Sequence, residues 1–176
     1  MTPSGVQDVA LIVGGGPGIS SSCARLFSAN GMRVAVAARN PDKPVLQALK
    51  QQHGVISYAC DAGDPAAVER LFENVAADLG APRLVVHNID GRVPGIFRKT
   101  IVEADPAMVF ETVRNAAFSA FLVGQAAARL MLANAPAGNG ARGTIVFTNA
   151  SAGIKGFPLS GAFAMACQAK RGLAES

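Results

Sequence analysis

One stretch near the amino end constrains the fold more than any other part of the chain. An apolar run, Val9–Val13, ends in four glycines at positions 14, 15, 16 and 18. A helical pattern starts near Ser20, closes at Gly31, and gives way to a second apolar run, Val34–Ala38. This order of strand, glycine turn, helix and strand predicts a βαβ unit that binds a dinucleotide. Glycine has no side chain to keep a pyrophosphate away from the backbone, and the amino end of the helix attracts phosphate. A tight turn without a ligand would need fewer glycines.

The rest of the chain continues this alternation of strands and helices. Further strands are predicted at Val55–Cys60, Leu84–His87 and Thr144–Thr148, and further helices at 43–52, 65–79, 105–133 and 159–175. Such an order predicts one α/β domain, residues 1–176, with a doubly wound parallel sheet, right-handed crossovers and helices on both faces.

Composition and charge argue against several classes of protein. Half of the 176 residues are apolar, which disfavours disorder. No apolar run approaches the roughly 20 residues that span a membrane, and the first eight residues lack the pattern of a signal peptide, so a cytoplasmic location without membrane attachment is expected. The net charge of +4 is spread along the chain without the basic stripe of a nucleic-acid-binding protein. The three cysteines lack metal-ligand spacing, so no metal site is predicted.

The glycine turn resembles the fingerprint of the short-chain dehydrogenase/reductase family, T-G-x-x-x-G-x-G. Gly14, Gly18 and Ser20 fill its three glycine positions, and Val13 stands for the threonine. The resemblance implies a Rossmann-type fold and a nicotinamide dinucleotide held by the turn residues Gly14, Gly16, Gly18 and Ile19. Ser20 departs from the pattern where a hydrogen normally lets helix and strand pack closely. Its hydroxyl could cap the helix.

The end of the second strand indicates which cofactor is bound. Ala38 stands where the family carries the aspartate that selects NAD, and Arg39 follows directly. An acidic residue there bonds the 2′-OH of NAD, whereas an arginine accommodates the 2′-phosphate of NADP. NADP(H) is therefore the predicted cofactor. The alternative is a surface arginine at a strand end.

Two further residues match cofactor-binding positions of the family. Asp61 corresponds to an aspartate beside the adenine ring, although a loop aspartate that caps a turn would give the same sequence. The family's N-N-A-G motif appears as His87–Asp90, where Asn88 is kept and Ile89 and Asp90 replace the small residue and the glycine. Asp90 is expected to point away from the phosphates, and His87 is expected to be a satisfied core histidine.

The family's catalytic residues are missing from their usual positions. In the family, a Y-x-x-x-K motif supplies the proton, and Phe163 and Cys167 stand at its tyrosine and lysine. A serine about thirteen residues earlier holds the substrate oxygen, and Ala150 stands there. An asparagine on the fourth helix supports a proton-relay water, and Ala116 stands there.

Neighbouring residues are weaker candidates for these roles. Ser151 and Asn115 each lie one residue from the family's serine and asparagine positions, and are the candidate catalytic residues. Lys170 lies one helical turn beyond Cys167, about 5 Å away. Tyr58, the only tyrosine, is in the third predicted strand. A divergent branch of the family carries F-T-x-A-S/T-A with phenylalanine for the tyrosine, and Phe147–Ala152 resembles it, but that branch keeps the lysine.

Two functions fit these observations. The first is an NADP(H)-dependent oxidoreductase that transfers hydride to or from a small carbonyl or alcohol substrate with atypical catalytic residues. The second is an inactive nucleotide-binding subunit or regulatory protein of the same fold. Family members continue with two more strands and a substrate-binding loop, so we expect a carboxyl-terminally incomplete domain. Alanine-rich helix faces over 115–132 and 162–174 predict a homodimer or homotetramer.

Overall fold

A single parallel sheet forms the centre of the computed structural model, which describes residues 7–176. Its strand order is β3-β2-β1-β4-β5. The strands are β1 Val9–Val13, β2 Arg33–Ala38, β3 Ile56–Ala59, β4 Leu84–His87 and β5 Thr144–Phe147. At the carboxyl end of the sheet, Val13 pairs with Ala37 on one side and His87 on the other. From the carboxyl end of β1 the chain continues toward β2, and from the carboxyl end of β4 it continues toward β5 on the other side of the sheet. Open α/β sheets bind ligands in the crevice between two such diverging connections.

Within residues 7–176, six α-helices and two short helical turns surround the sheet. The helices are α1 Ile19–Ala29, α2 Pro44–His53, α3 Pro65–Asp78, α4 Pro106–Val113, α5 Ser119–Ala133 and α6 Gly161–Glu175. A π-helical turn, Arg114–Phe118, joins α4 to α5, and a 3-10 turn, Ser151–Gly153, precedes α6. The carboxylates of Asp64 and Asp105 accept backbone N–H groups and cap α3 and α4. The predicted doubly wound α/β fold is confirmed.

Both faces of the sheet are covered, which explains why its central strands are apolar throughout. All five residues of β1 are buried. Leu11 and Val13 face a core cluster built with α3 and α5, whereas Ile12 faces a second cluster built with α1 and α2. A strand buried on both faces cannot show the alternation of apolar and polar residues that marks a half-exposed strand.

The helix predicted over 105–133 is continuous but changes form in its middle, which the sequence did not predict. At the π-helical turn, the Ser119 hydroxyl donates to the Asn115 carbonyl oxygen at 2.5 Å and so competes with the regular backbone bond. Insertions of this kind occur frequently at functional sites. The run Pro106–Ala133 is also the one helix of the described chain that is long and apolar enough to cross a membrane. Its residues Val123, Ala127 and Met131 lie in the core against the sheet.

Candidate functional site

The glycines of the first turn fall into two groups with different reasons for lacking a side chain. Gly14 has a φ of +108°, and a Cβ there would lie 2.2 Å from the carbonyl oxygen of Asn88, so the fold itself requires this glycine. A Cβ at Gly16 or Gly18 would meet no atom of residues 7–176 within 4 Å. Packing within the chain therefore gives no reason for these two glycines, and a ligand lying against the backbone does.

The first turn of α1 leaves its positive end uncompensated. Ile19 is the first helical residue, is more than half exposed, and no acidic side chain lies in this turn. The free N–H groups and the helix dipole therefore point toward the carboxyl edge of the sheet without a negative partner. This arrangement suits the pyrophosphate of a dinucleotide, so the residues present fit the predicted cofactor.

Ser20 does not cap α1, contrary to the suggestion from the sequence. Gly18 is the N-cap residue and Ser20 lies inside the helix, fully buried. Its hydroxyl donates to the Gly14 carbonyl oxygen at 2.6 Å and accepts from Asn88 Nδ2 at 2.7 Å. Asn88 Oδ1 in turn accepts from the Thr148 hydroxyl at 2.9 Å. The serine thus ties the glycine turn to the ends of β4 and β5, which a glycine at this position could not do.

A cavity of about 320 Å³, here called the cofactor cavity, runs along the carboxyl edge of the sheet. Gly14, Arg39, Asp61, Asn88 and Asn115 are among its lining residues. Five of the nine residues that the sequence singled out for cofactor binding or catalysis therefore surround one space. The remaining four, Gly16, Gly18, Ile19 and Ser151, are not among its lining residues.

Two positive charges stand at the end of β2. Arg39 is exposed, and Lys43 donates from Nζ to the Gly15 carbonyl oxygen at 3.1 Å. Neither side chain forms an ion pair within residues 7–176. The sequence prediction included Arg39 and missed Lys43, although a second cation four residues after the first was a usable signal.

Asp61 caps a turn, which was one of its two possible roles. Its Oδ1 accepts the Gly63 N–H at 3.0 Å, and its Oδ2 lies 3.7 Å from Nη2 of Arg114. Arg114, at the start of the π-helical turn, also donates to the Gly63 carbonyl oxygen at 3.2 Å. The carboxylate still lines the cofactor cavity, so its predicted place beside adenine stays a prediction.

His87 is a buried core residue, as expected, but only one of its nitrogens is bonded. Nε2 lies 2.8 Å from the Ser119 hydroxyl. Because that hydroxyl gives its proton to Asn115, His87 must donate from Nε2, which leaves Nδ1 as an acceptor with no partner in the described chain. Burial, together with the positive charge of Lys170, lowers the pKa of His87 to about 3. The imidazole is therefore neutral at physiological pH.

Lys170 brings an ammonium group to the ends of β4 and β5. It is almost completely buried, and Nζ donates to the carbonyl oxygens of Thr148 at 3.1 Å and Ile89 at 3.3 Å. Burial lowers its pKa. Cys167, which stands at the family's lysine position, is fully buried one turn earlier. The chain thus has a lysine at the ends of β4 and β5, but on the turn of α6 that follows the family's lysine position.

The candidate catalytic residues are not gathered at one point. Asn115 is half-buried in the π-helical turn and lines the cofactor cavity, whereas Ala116, at the family's asparagine position, is fully buried. Ser151 is exposed at the start of the 3-10 turn and lines neither the cofactor cavity nor the second cavity described below. Tyr58 donates its hydroxyl to Asp78 at 2.8 Å, between β3 and α3. It lines neither the cofactor cavity nor the second cavity.

Arg92, which the sequence reasoning missed, occupies the space beside Phe163. Its Nε and Nη2 each donate to Asp90 at 2.7 Å, so the Asp90 carboxylate is bound by this arginine. The guanidinium carbon lies 4.3 Å from the centre of the Phe163 ring and 4.7 Å from that of Phe97. Two aromatic faces and one carboxylate therefore hold the guanidinium in place.

A larger cavity of about 800 Å³, here called the apolar cavity, lies next to the cofactor cavity. It is formed by the loop before α4, by α4 itself, and by the start of α6, and hydrocarbon side chains such as Phe97, Val109 and Phe110 line most of it. Of the described residues, Arg92 alone lines both cavities. The two spaces therefore adjoin at this residue.

The glycine of the family's N-N-A-G motif is displaced by one residue in this chain. Gly91, which follows Asp90, has a φ of +81°, and a Cβ there would lie 2.4 Å from the Cβ of Ala116. This glycine allows the loop after β4 to touch the π-helical turn. The sequence offered the signal, because Gly91 directly follows the motif.

Comparisons with known proteins agree with this geometry. A family model described as short chain dehydrogenase matches residues 8–176. The 3-oxoacyl-(acyl-carrier-protein) reductase MabA of Mycobacterium tuberculosis is 32% identical over 133 residues, which cover 75% of this chain and 49% of that protein. An uncharacterised oxidoreductase of Caenorhabditis elegans is 35% identical over 88 residues, which cover 47% of this chain and 28% of that protein. The chain therefore spans about half or less of the length of these relatives.

A solved structure shows the same architecture. The short-chain dehydrogenase from Rhodopseudomonas palustris superposes with a TM-score of 0.83 at 25% identity, covering 96% of this chain and 76% of that one. The family model matches nearly all of the described residues, and the glycine turn and the sheet order agree with that match. This chain belongs to the short-chain dehydrogenase family.

Proposed function

We propose that the protein is an NADP(H)-dependent oxidoreductase that transfers hydride to or from a carbonyl or alcohol substrate. The observation that carries the choice of cofactor is the presence of two cations, Arg39 and Lys43, in the lining of the cofactor cavity just after β2, where Ala38 stands in place of an acidic residue. Neither cation forms an ion pair within residues 7–176. A 2′-phosphate brings negative charge to this end of the cofactor cavity, and the two cations would stabilise it. The glycine turn and the amino end of α1 would hold the pyrophosphate.

Each side chain at the nicotinamide end has a definable task. When bound, the nicotinamide supplies or accepts the hydride. Asn88 is held by Ser20 and Thr148 and keeps the ends of β1, β4 and β5 at fixed spacing. Asn115 offers an amide to the same cavity. Orientation of the reactants can lower the barrier by about 7–11 kcal/mol, whereas a general acid adds typically 10²–10⁴-fold in rate.

A catalytically inactive nucleotide-binding subunit is the second candidate. It is favoured by Phe163, whose ring has no proton to give, by the full burial of Cys167, and by the exposed position of Ser151 outside both cavities. Cofactor binding is common to both candidates, so only turnover distinguishes them.

The cofactor proposal is tested by titrating the protein with NADPH and with NADH. We expect NADPH to bind more tightly, and Arg39→Ala to weaken NADPH binding roughly tenfold with little effect on NADH, since one charge-assisted contact is lost. Arg129→Ala, an exposed arginine on α5 that lines neither cavity, is the matched control. Equal affinity for the two cofactors, or equal effects of the two variants, would refute the assignment.

Oxidation of NADPH against a panel of ketones and aldehydes tests the reaction. Turnover supports the oxidoreductase, and its loss in Asn115→Ala or Ser151→Ala would give that residue a part in it. Tight NADPH binding with no turnover supports the inactive subunit.

We also propose that the protein is a homodimer or homotetramer through the helix that contains the π-helical turn. Phe118 and Phe121 are each more than 40% exposed on this helix, and their rings stack with centres 6.4 Å apart. Exposed aromatic clusters of this kind favour a partner surface. Light scattering tests this, and a monomer at micromolar concentration would contradict it.

A further inference from the structure

The apolar cavity combines a hydrocarbon lining with charge of one sign. Three cationic residues, Arg92, Arg98 and Lys99, are among its lining residues. No aspartate or glutamate of the described chain lines it. Neither Arg98 nor Lys99 forms an ion pair within residues 7–176. The cavity therefore suits a molecule that is largely apolar and carries a negative group.

The Arg92 guanidinium keeps a free donor face. Nε and Nη2 are used on Asp90, whereas Nη1 has no hydrogen-bond partner in the described chain. The rings of Phe97 and Phe163 fix the plane of the group, so little side-chain entropy would be lost when Nη1 binds a ligand. Asp90 offsets the charge of Arg92 itself. The net positive charge of the cavity therefore comes from Arg98 and Lys99.

The position of Arg92 determines which part of a ligand it can hold. It lines both cavities, so we expect a group bound to Nη1 to lie near the boundary between the space for the dinucleotide and the space for an apolar body. The backbone around it is specialised as well, since Arg98 adopts a φ of +54°. Non-glycine residues in this region cost energy and occur preferentially where a loop has a function.

We propose that the apolar cavity binds the substrate as an amphiphilic carboxylate. The hydrocarbon body packs against Phe97, Val109 and Phe110, and the carboxylate accepts hydrogen bonds from Arg92 Nη1, drawn in by Arg98 and Lys99. Arg92 is then the residue that selects an acid over its neutral analogue and sets how far the substrate enters the cofactor cavity. This inference deepens the proposed function and rests on it, because it treats the apolar cavity as the substrate side of the same site.

The test compares octanoate with octanamide, which has the same hydrocarbon chain and no charge. Both are titrated into the protein saturated with NADPH, and binding is followed by ligand-detected NMR. We expect octanoate to bind roughly tenfold more tightly than octanamide, the effect of one charged hydrogen bond. Arg92→Met should remove most of that preference, leaving only the weaker attraction of Arg98 and Lys99, and Arg129→Met should keep it.

A second pair of variants covers the case in which Arg92→Met disturbs the loop. Ile101 lines the apolar cavity and is 94% exposed, so polar replacements there leave the core intact. Ile101→Asp adds a negative charge to the rim and should weaken octanoate several-fold relative to Ile101→Asn, with octanamide affected equally by both.

Several outcomes would overturn the proposal. These are equal affinities for the acid and the amide, no saturable binding of either, or an acid preference that is undiminished in Arg92→Met. A sedimentation coefficient that changes on Ile101→Asp while octanoate affinity does not would assign the surface to a second copy of the chain. The NADPH titration distinguishes failure of this inference from failure of the proposed function. If the protein does not bind NADPH, the proposed function is wrong. If it binds NADPH but shows no preference for the acid, only this inference is wrong.

Discussion

Replacing Gly91 by alanine tests how tightly the loop after β4 is fitted to the π-helical turn. A Cβ at this position would lie 2.4 Å from the Cβ of Ala116, 2.6 Å from its backbone nitrogen and 2.8 Å from its Cα. Ordinary van der Waals contact begins near 3.4 Å. Two of the three atoms belong to the backbone of a helix, so no side chain can rotate away to relieve the overlap. Either the loop or the helix must shift.

Two costs add together in this variant. Alanine at a φ of +81° is strained by about 1 kcal/mol, and forcing an extra methyl group into a filled space typically costs about 1–3 kcal/mol. We therefore expect Gly91→Ala to lower the free energy of unfolding by about 2–4 kcal/mol. At about 2–4 °C per kcal/mol for a chain of this size, the Tm should fall by roughly 5–15 °C.

Gly140→Ala is the matched control, because it carries the first cost without the second. Gly140 has a φ of +82°, and a Cβ there would meet no atom of the described chain within 4 Å. Urea unfolding of both variants gives the steric contribution as the difference between them, provided that the m-value is unchanged. Adding Ala116→Gly to Gly91→Ala removes the nearest atom and should restore part of the loss. Equal destabilisation by Gly91→Ala and Gly140→Ala would refute the close fit described here.

Three further changes test the buried polar contacts. Ser20→Ala should cost about 1–2 kcal/mol by urea unfolding, because Asn88 Nδ2 loses its acceptor, whereas the exposed neighbour Ser22→Ala should be almost neutral. Burial lowers the pKa of His87 to about 3, below its unfolded value of about 6.5, so the unfolded chain binds a proton that the folded chain does not. The free energy of unfolding should therefore fall by at most about 1.4 kcal/mol per pH unit as the pH drops from 6.5 toward 3. His87→Leu should flatten this part of the plot of stability against pH, and an unchanged slope would count against the assignment. Lys170→Met should cost about 1–3 kcal/mol, because the carbonyl oxygens of Thr148 and Ile89 lose a charged donor; unaltered hydrogen exchange near the end of β5 would contradict that contact.

The fold could be predicted from the sequence because its signals are local. Each signal specifies structure within a few residues of itself. Examples are the glycine turn, the apolar strands, and the aspartates before Pro65 and Pro106, which cap α3 and α4. The π-helical turn was missed because it arises from a contact between Ser119 and Asn115 that no helical periodicity reveals. Its effect is to place Asn115 at the cofactor cavity while Ala116 is buried against Gly91.

The candidate site was predicted less completely, for a physical reason. Positions such as Arg39 and Asn88 follow directly from strand ends, which the sequence locates well. The roles of Arg92 and Lys170 depend on how far their long side chains extend from the backbone. Phe163, Thr148 and Ile89, which they contact, are each more than twenty residues away in sequence. Phe163 could be matched to a family position, but the guanidinium that covers its ring could not. Whether the matched residues act as proposed stays a prediction.

The π-helical turn makes a mechanical connection between two loops that would otherwise be independent. Arg114, its first residue, binds the loop after β3 through Asp61 and Gly63, and Ala116, two residues later, touches Gly91 in the loop after β4. Five consecutive residues thus contact both loops, so we expect a movement of one loop to carry the other with it. Opening the cleft for a nucleotide to enter or leave should therefore be a concerted movement, in which the amide protons of both loops exchange with solvent at a common rate.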